Sequence, residues 1–255
     1  MKTGVKTLQI LTAFVLAAPM ILSWGVTLSA AESLTVGVAA NFMVPFRELA
    51  VSFEGRTAVK VEATYTSTGN LYGQIKNGAP YDLFLSADQV RPELLLKAGL
   101  TDRVFVYALG GVVLWSAAKG FCESESWKKA ITLPHVRRVA IANPETAPYG
   151  EAAKAALQRT GLWREVEAKL VFAQTVSQVF QYAHTEAVDA GFCARASVYT
   201  AQGKRGCYFS VEQAPSVIQA ACVLKRTEKK AAADAFAAFL VTPEAVAVKR
   251  KYGYE

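Results

Sequence analysis

The chain has 255 residues, a formal net charge of +7, 52% hydrophobic residues, four cysteines and two histidines. That is long and apolar enough for two small domains. Lys and Arg are dispersed and cluster only at Lys249-Arg250-Lys251, so the basic excess does not argue for nucleic acid and instead invites an anionic ligand or surface. The cluster itself reads as the solvated end of a helix, where the dipole favours positive charge.

In chain order, Lys2 and Lys6 precede an apolar run from Leu8 to about Trp24 and the small residues Ser29-Ala30-Ala31. This is the layout of a signal peptide over 1–31, cut after Ala31. The run is long for that role, so an uncleaved membrane anchor is the alternative. No Cys stands at the cleavage region to carry a lipid, and no other segment is long and apolar enough to span a bilayer.

The first strand is expected at 35–39, followed by Ala39-Ala40-Asn41-Phe42 and a helix over 44–53. Pro45 sits in its first turn, and Phe46, Leu49, Ala50 and Phe53 recur at helical spacing. A second strand at 59–65 leads through Thr66-Ser67-Thr68-Gly69-Asn70 into an amphipathic segment over 71–76. Ser, Thr and Asn favour a helix N-cap, Gly lets a ligand approach the backbone, and the free N–H groups and dipole there hold an oxyanion without a formal positive partner. One such loop is more often a plain cap, and Asn41 alone is more often a cap than a donor. Two such loops at the carboxyl ends of neighbouring strands point to a ligand site.

A strand at 82–86, a helix at 91–98 and a strand at 112–116 follow. The second half repeats the logic with strands at 138–143, 169–172 and 190–193 and helices at 150–160 and 176–184. Alternating strand and helix predicts parallel sheets, here two of them and hence two lobes. Two further cradles arise, at Asn143-Pro144-Glu145-Thr146-Ala147-Pro148-Tyr149-Gly150 and at Gln174-Thr175-Val176-Ser177, where Thr175 can cap.

Catalytic parts are missing or isolated. The sequence has no G-x-S-x-G, G-x-x-x-x-G-K-[ST] or H-E-x-x-H pattern; His135 reads as a surface turn and His184 as a late helix residue. Asp82, Asp88 and Glu93 could form an acid/base or metal group, but Asp82 within Tyr-Asp-Leu-Phe better serves the sheet or a hinge. Phe84, Trp115, Trp127 and Trp163 read as core or lobe-surface residues. Cys122, Cys193, Cys207 and Cys222 lack C-x-x-C spacing and permit up to two disulfides in an oxidising compartment, with three full pairings open. Cys193 and Cys222 lie in apolar runs and suit reduced core residues equally well.

The segments VAANF, STGNLYGQI, NGAPYDLFLSADQ and NPETAPYG, with the ending PEAVAVKRKYGYE, resemble the periplasmic molybdate-binding protein family of ABC-type importers across the whole mature chain. The resemblance implies an α/β, two-lobed periplasmic solute-binding protein fold (type II) with the ligand in the interlobe cleft. Lobe one would comprise 32–111 plus 219–255 and lobe two 112–218, with crossings near 109–114 and 217–222. It places Asn41 and Thr68 of lobe one, and the N–H groups of Tyr149 and Val176 of lobe two, around a tetrahedral oxyanion. In some family members a Tyr hydroxyl follows the Gly-φ-φ strand of lobe two; here Gly191-Phe192-Cys193 leads to Ala194, which cannot donate, and Asn41 fits the subgroup that compensates from the first loop.

The implied function is binding of molybdate, and tungstate, outside the inner membrane in the periplasm and delivery to the permease and ATPase subunits of an ABC importer. The protein would be a monomer and no enzyme, with no cofactor and no nucleic-acid partner. Molybdenum would enter only as the bound oxyanion, with no direct protein ligand to the metal. The alternatives are a sulfate-like or other oxyanion receptor and an exported hydrolase with a phosphate cradle. Donor-only loops disfavour phosphate, whose proton needs an acceptor.

Overall fold

A computed structural model describes residues 33–255, besides Met1; the expected leader over 1–31 lies outside the described residues. Leu34 and Val36 alternate with the less buried Ser33 and Thr35, and from Val36 on every residue of β1 (Ser33–Ala39) is buried. A single 3-10 turn, Ala40–Phe42, carries it into α1 (Met43–Thr57), whose buried face is Pro45, Phe46, Leu49, Ala50 and Phe53. The helix runs on past the expected 53 because its last turn is polar and carries no apolar signal; Ala58, in the left-handed region at φ 57, ends it.

Next come β2 (Lys60–Thr66), α2 (Thr68–Lys76), β3 (Leu83–Leu85), α3 (Val90–Lys97) and β4 (Thr101–Gly110). The chain then forms β5 (Val112–Ser116), α4 (Trp127–Thr132), β6 (Val139–Ala142), α5 (Pro148–Arg159), α6 (Trp163–Val166), β7 (Leu170–Ala173), α7 (Val176–His184), β8 (Ala190–Ala194) and β9 (Cys207–Ser210). It closes with β10 (Val217–Leu224), α8 (Lys230–Phe239) and α9 (Pro243–Lys251). Among the described residues no single helix is long and apolar enough to cross a membrane.

Two five-stranded sheets result, ordered β2-β1-β3-β10-β4 and β7-β6-β8-β5-β9. The expectation of parallel sheets holds for β1 with β2 and β3, and for β6 with β7 and β8. It fails for β10 against β3 and β4, and for β5 against β8 and β9, which are antiparallel. Only Gly111 separates β4 from β5, so the chain passes from the first sheet to the second with no helix between them.

Each sheet carries its own core. Phe42, Phe46, Phe53 and Phe236 pack on one face of the first sheet, and Leu71, Ile75, Phe84 and Leu95 on the other. Trp115, Trp127, Phe192 and Tyr149 anchor the core of the second. Asp82 serves the first sheet: its carboxylate accepts from Thr35 N (2.7 Å) and the Thr227 hydroxyl (2.6 Å), with Lys229 Nζ at 3.4 Å. Of the pairings left open by sequence, Cys122 is bonded to Cys207 (Cα–Cα 6.1 Å), while Cys193 and Cys222 are reduced and buried. Burial pushes the Cys222 thiol up to about 12 and Cys193 higher still, so neither is a nucleophile at neutral pH.

The basic cluster at the end of α9 corrects the sequence reading in part. Lys251 is exposed and pairs with Glu48 at 2.8 Å, but Lys249 is only 6% exposed. Its Nζ donates to Leu240 O (2.9 Å) and to Tyr107 O, so it ties the last helix to β4 instead of facing water. Burial pulls its pKa from 10.5 down to about 8. Across that window the unfolded chain holds a proton that the folded chain has released, so this group makes stability rise with pH between about 8 and 10.5. Relative to the Lys249→Met variant, the parent should gain stability over that range, by at most about 3 kcal/mol because the two carbonyls oppose the shift. Denaturant titrations of both proteins at a series of pH values check this; parallel profiles would show that Lys249 keeps an ordinary pKa.

Candidate functional site

Four turns leave the carboxyl ends of parallel strands and open helices: β1 into Ala40–Phe42, β2 into α2, β6 into α5 and β7 into α7. The first N–H groups of a helix have no partner within it. Ser67 caps α2 by accepting from Asn70 N (3.4 Å), and Thr175 caps α7 by accepting from Gln178 N (3.1 Å). Pro148 opens α5, and Asn143 shapes the turn before it by accepting from Glu145 N through its side chain and from Ala147 N through its carbonyl.

These turns meet across the gap between the sheets. Gly69 N donates to Thr146 O (2.8 Å), the Ser177 hydroxyl to Ala40 O (2.7 Å) and Arg91 Nη2 to Glu145 O (3.1 Å). The approach at Gly69 is so close that a Cβ there would lie 2.9 Å from Thr146 O. Between the turns is a cavity of about 210 Å³. That is below the roughly 300 to 1,000 Å³ of pockets for drug-sized ligands and on the scale of a small polyatomic species.

The structure brings all four sequence-predicted residues, Asn41, Thr68, Tyr149 and Val176, to this one cavity, together with Ser67, Ala87, Ala147 and Thr175. Thr68 and Val176 are the first residues of α2 and α7, and Tyr149 is the second of α5. None of their three main-chain N–H groups donates to another main-chain group among the described residues. Three hydroxyls add to the set. Ser67, Thr68 and Thr175 each accept from a main-chain N–H, Thr68 from Ala87 N at 2.9 Å, which leaves each its own hydrogen to donate.

No carboxylate lines the cavity. Asp88 accepts from Arg91 N at 2.9 Å and pairs with the Arg91 guanidinium, and Glu145 points to solvent. Ala194, 1% exposed, is paired with Val112 and lies outside the lining. His135 is exposed and His184 stacks on Phe180, both far from a catalytic arrangement. Among the described residues no cluster of His, Cys, Asp and Glu could hold a metal ion.

Asn41 is placed differently from a simple donor. It is 8% exposed, and its Nδ2 donates backward to Gln219 Oε1 (2.8 Å) and the Tyr254 hydroxyl (3.1 Å). Tyr254 in turn donates to Asn41 O (2.9 Å), and the Tyr107 hydroxyl lies 3.0 Å from Gln219 Oε1 and 3.1 Å from Ser86 O. Burial raises the Tyr107 and Tyr149 hydroxyls well above the ordinary value and Tyr254 to about 12, so all three stay neutral. Sequence reasoning missed this network. Its one visible signal is Gln219, the polar residue inside the apolar run of β10, VIQAACVL; Tyr254 gives none, because its partner is 213 residues away.

Residues 34–255 match the model of the family described as bacterial extracellular solute-binding protein. The molybdate-binding protein ModA of Rhodobacter capsulatus is 36% identical over 228 residues, 89% of each chain, and that of Azotobacter vinelandii 36% over 229 residues, 88% of this chain and 90% of the relative. The solved periplasmic molybdate-binding protein of Azotobacter vinelandii superposes with a TM-score of 0.82 at 35% identity, covering 87% of this chain and 98% of that one. The sulfate-binding protein SubI of Mycobacterium tuberculosis, at 15% identity, 88% and 86% coverage and a TM-score of 0.75, shares the fold alone. With this periplasmic binding protein fold and these relatives, the chain belongs to the ModA family of bacterial extracellular solute-binding proteins.

Proposed function

We propose that the protein captures molybdate in the cavity between its sheets and delivers it to the permease and ATPase subunits of an ABC importer. One observation carries this reading: the cavity is small and free of carboxylates, and it is lined by N–H groups from three helix starts and by hydroxyls with a hydrogen to give. A dianion that offers only acceptors fits such a lining, and the helix dipoles supply the positive field. Tungstate presents the same shape and is expected to bind similarly. Sulfate is the second reading, because the cavity is tight and sulfate is smaller.

The same reading covers the rest. Residues 1–31 direct the chain to the periplasm; 32–111 with 219–255 form one lobe and 112–218 the other, and the protein works as a monomer without a catalytic role. Asn41, Thr68, Tyr149 and Val176 are the ligand residues, the last three through their N–H groups.

Calorimetric titration of the mature protein should show tight, similar binding of molybdate and tungstate, weaker sulfate and hardly any phosphate. Phosphate as tight as molybdate would sink the proposal. At 100-fold excess over its dissociation constant, molybdate should add about 2.7 kcal/mol to the folding stability.

Variants separate side chain from backbone. Asn41→Ala should weaken molybdate by roughly 10- to 150-fold, the worth of a hydrogen bond to a charged group, while Val176→Ala keeps its N–H and should cost little. Gly69→Ala sets a methyl against Thr146 and holds the two sides apart. It should lower affinity at least several-fold, with circular dichroism confirming that the fold survives. An unchanged affinity would mean that this close approach is not needed for binding.

A further inference from the structure

Two buried side-chain atoms, the Tyr149 hydroxyl and Gln219 Nε2, have no hydrogen-bond partner among the described residues. They face the same spot. A Cβ at Gly110 would collide with the Tyr149 oxygen and lie 2.8 Å from Gln219 Nε2. Gln219 is fully buried, and it is aimed there by a register shift in the ladder: Gln219 pairs with Ala108 and Ala220 with Val106, so Tyr107 is the extra residue of a bulge. Bulges turn a side chain out of its regular direction, and here Tyr107 and Gln219 meet.

The donors and acceptors of this cluster are mismatched in the orientation present. Gln219 Oε1 receives Asn41 Nδ2 and stands beside the Tyr107 hydroxyl, while Gln219 Nε2 makes no hydrogen bond of normal geometry, although the Tyr254 hydroxyl is close to it and to the Tyr149 hydroxyl. A buried polar group without a partner is rare and costly. An amide has nearly the same shape either way round. If both amides turn, Gln219 Nε2 donates to Asn41 Oδ1 and to the Tyr107 hydroxyl, which passes its own hydrogen to Ser86 O, and the Tyr254 hydroxyl, 3.1 Å from that Asn41 amide atom and 2.9 Å from Asn41 O, shares its one hydrogen between Oδ1 and the carbonyl. The Gln219 oxygen, now an acceptor, faces the Tyr149 hydroxyl. Asn41 Nδ2 is released from behind the cavity it lines, free to donate to the anion.

Resting on the reading that Asn41 belongs to the anion site, we propose that Gln219 is a positioning residue: binding of the oxyanion turns the Asn41 and Gln219 amides together, and the Tyr149 hydroxyl secures the turned state. The device links the sheets, since Tyr149 opens α5 beside the second sheet while Gln219 and Tyr107 belong to the first.

A double-mutant cycle on molybdate affinity tests it, using Gln219→Met, which keeps the volume and removes the amide. Gln219→Met should weaken binding roughly tenfold in the parent and by less than twofold in the Asn41→Ala background, because Gln219 acts through Asn41. Equal losses in both backgrounds would mean a merely structural role and overturn the proposal, as would parent-like affinity of Gln219→Met. Parent-like affinity of Asn41→Ala would instead remove Asn41 from the site, a separate failure. Tyr149→Phe keeps the N–H and does not depend on Gln219→Met folding. It should leave the ligand-free melting temperature equal or higher and weaken molybdate several-fold; unchanged affinity overturns the coupled turn. In the parent, side-chain amide resonances of both Asn41 and Gln219 should shift on adding molybdate, and a shift confined to Asn41 counts against the coupling.

Discussion

The site depends on main-chain N–H groups that donate to no other main-chain group and that gather at one small cavity. Thr68, Tyr149 and Val176 each present such a group at the start of a helix, and a buried donor without an acceptor costs about 1 to 3 kcal/mol. Three helix starts cannot be brought together dry at no cost. Their convergence on one small cavity makes sense when the acceptors come from outside, as the oxygens of a single tetrahedral anion. The fold sets this up by ending its parallel strands at the gap between two sheets, so that strand carboxyl ends, turns and helix dipoles all face the same point.

The donors come from both sides of the gap, so their spacing is a property of how the two sides meet. A close backbone approach of Gly69 to Thr146 and the hydrogen bond from the Ser177 hydroxyl to Ala40 O hold that spacing, and the Arg91 guanidinium reaches Glu145 O while it is neutralised by Asp88. Two strands that pass between the sheets, β4 into β5 and β10, carry the remaining connection, with Tyr107, Gln219 and Tyr254 buried beside them. The C-terminus is bound into the same region: Glu255 and Leu109 exchange both main-chain hydrogen bonds, at 2.6 and 3.0 Å. The last residues of the chain are thus joined to the first crossing and, through Tyr254, to Asn41.

Much of this was legible in the sequence, for physical reasons that differ by element. Strands β1, β2 and β6 and the helices that follow them announce themselves through periodicity, and their caps through Ser67 and Thr175. Strand ends and helix starts marked out the four loops, and the family resemblance picked Asn41, Thr68, Tyr149 and Val176 from them; the structure brings all four to one cavity. β4 was not legible: its bulge breaks the alternation, leaving Val106 and Leu109 exposed and Tyr107 and Ala108 buried. Antiparallel pairing of β10 depends on where the chain goes, which local pattern does not encode. Lys249 reads as solvated because burial of an amine requires carbonyls supplied by distant segments, Tyr107 and Leu240.

The charges around the cavity clarify how a nearly neutral lining can suit a dianion. Arg91 is matched by Asp88, Arg195 lies 3.7 Å from Glu255, and neither lines the cavity. A free guanidinium would attract any anion, protonated or not, and would blur discrimination. Dipoles and hydroxyl hydrogens act differently. Each has a direction and rewards an oxygen only where a lone pair meets it, and an anion carrying its own proton leaves one of them facing another hydrogen. Selectivity by donor pattern also explains why the network behind Asn41 matters: an amide facing the wrong way would set an oxygen against the anion, and holding it correctly is a task for residues that never touch the ligand.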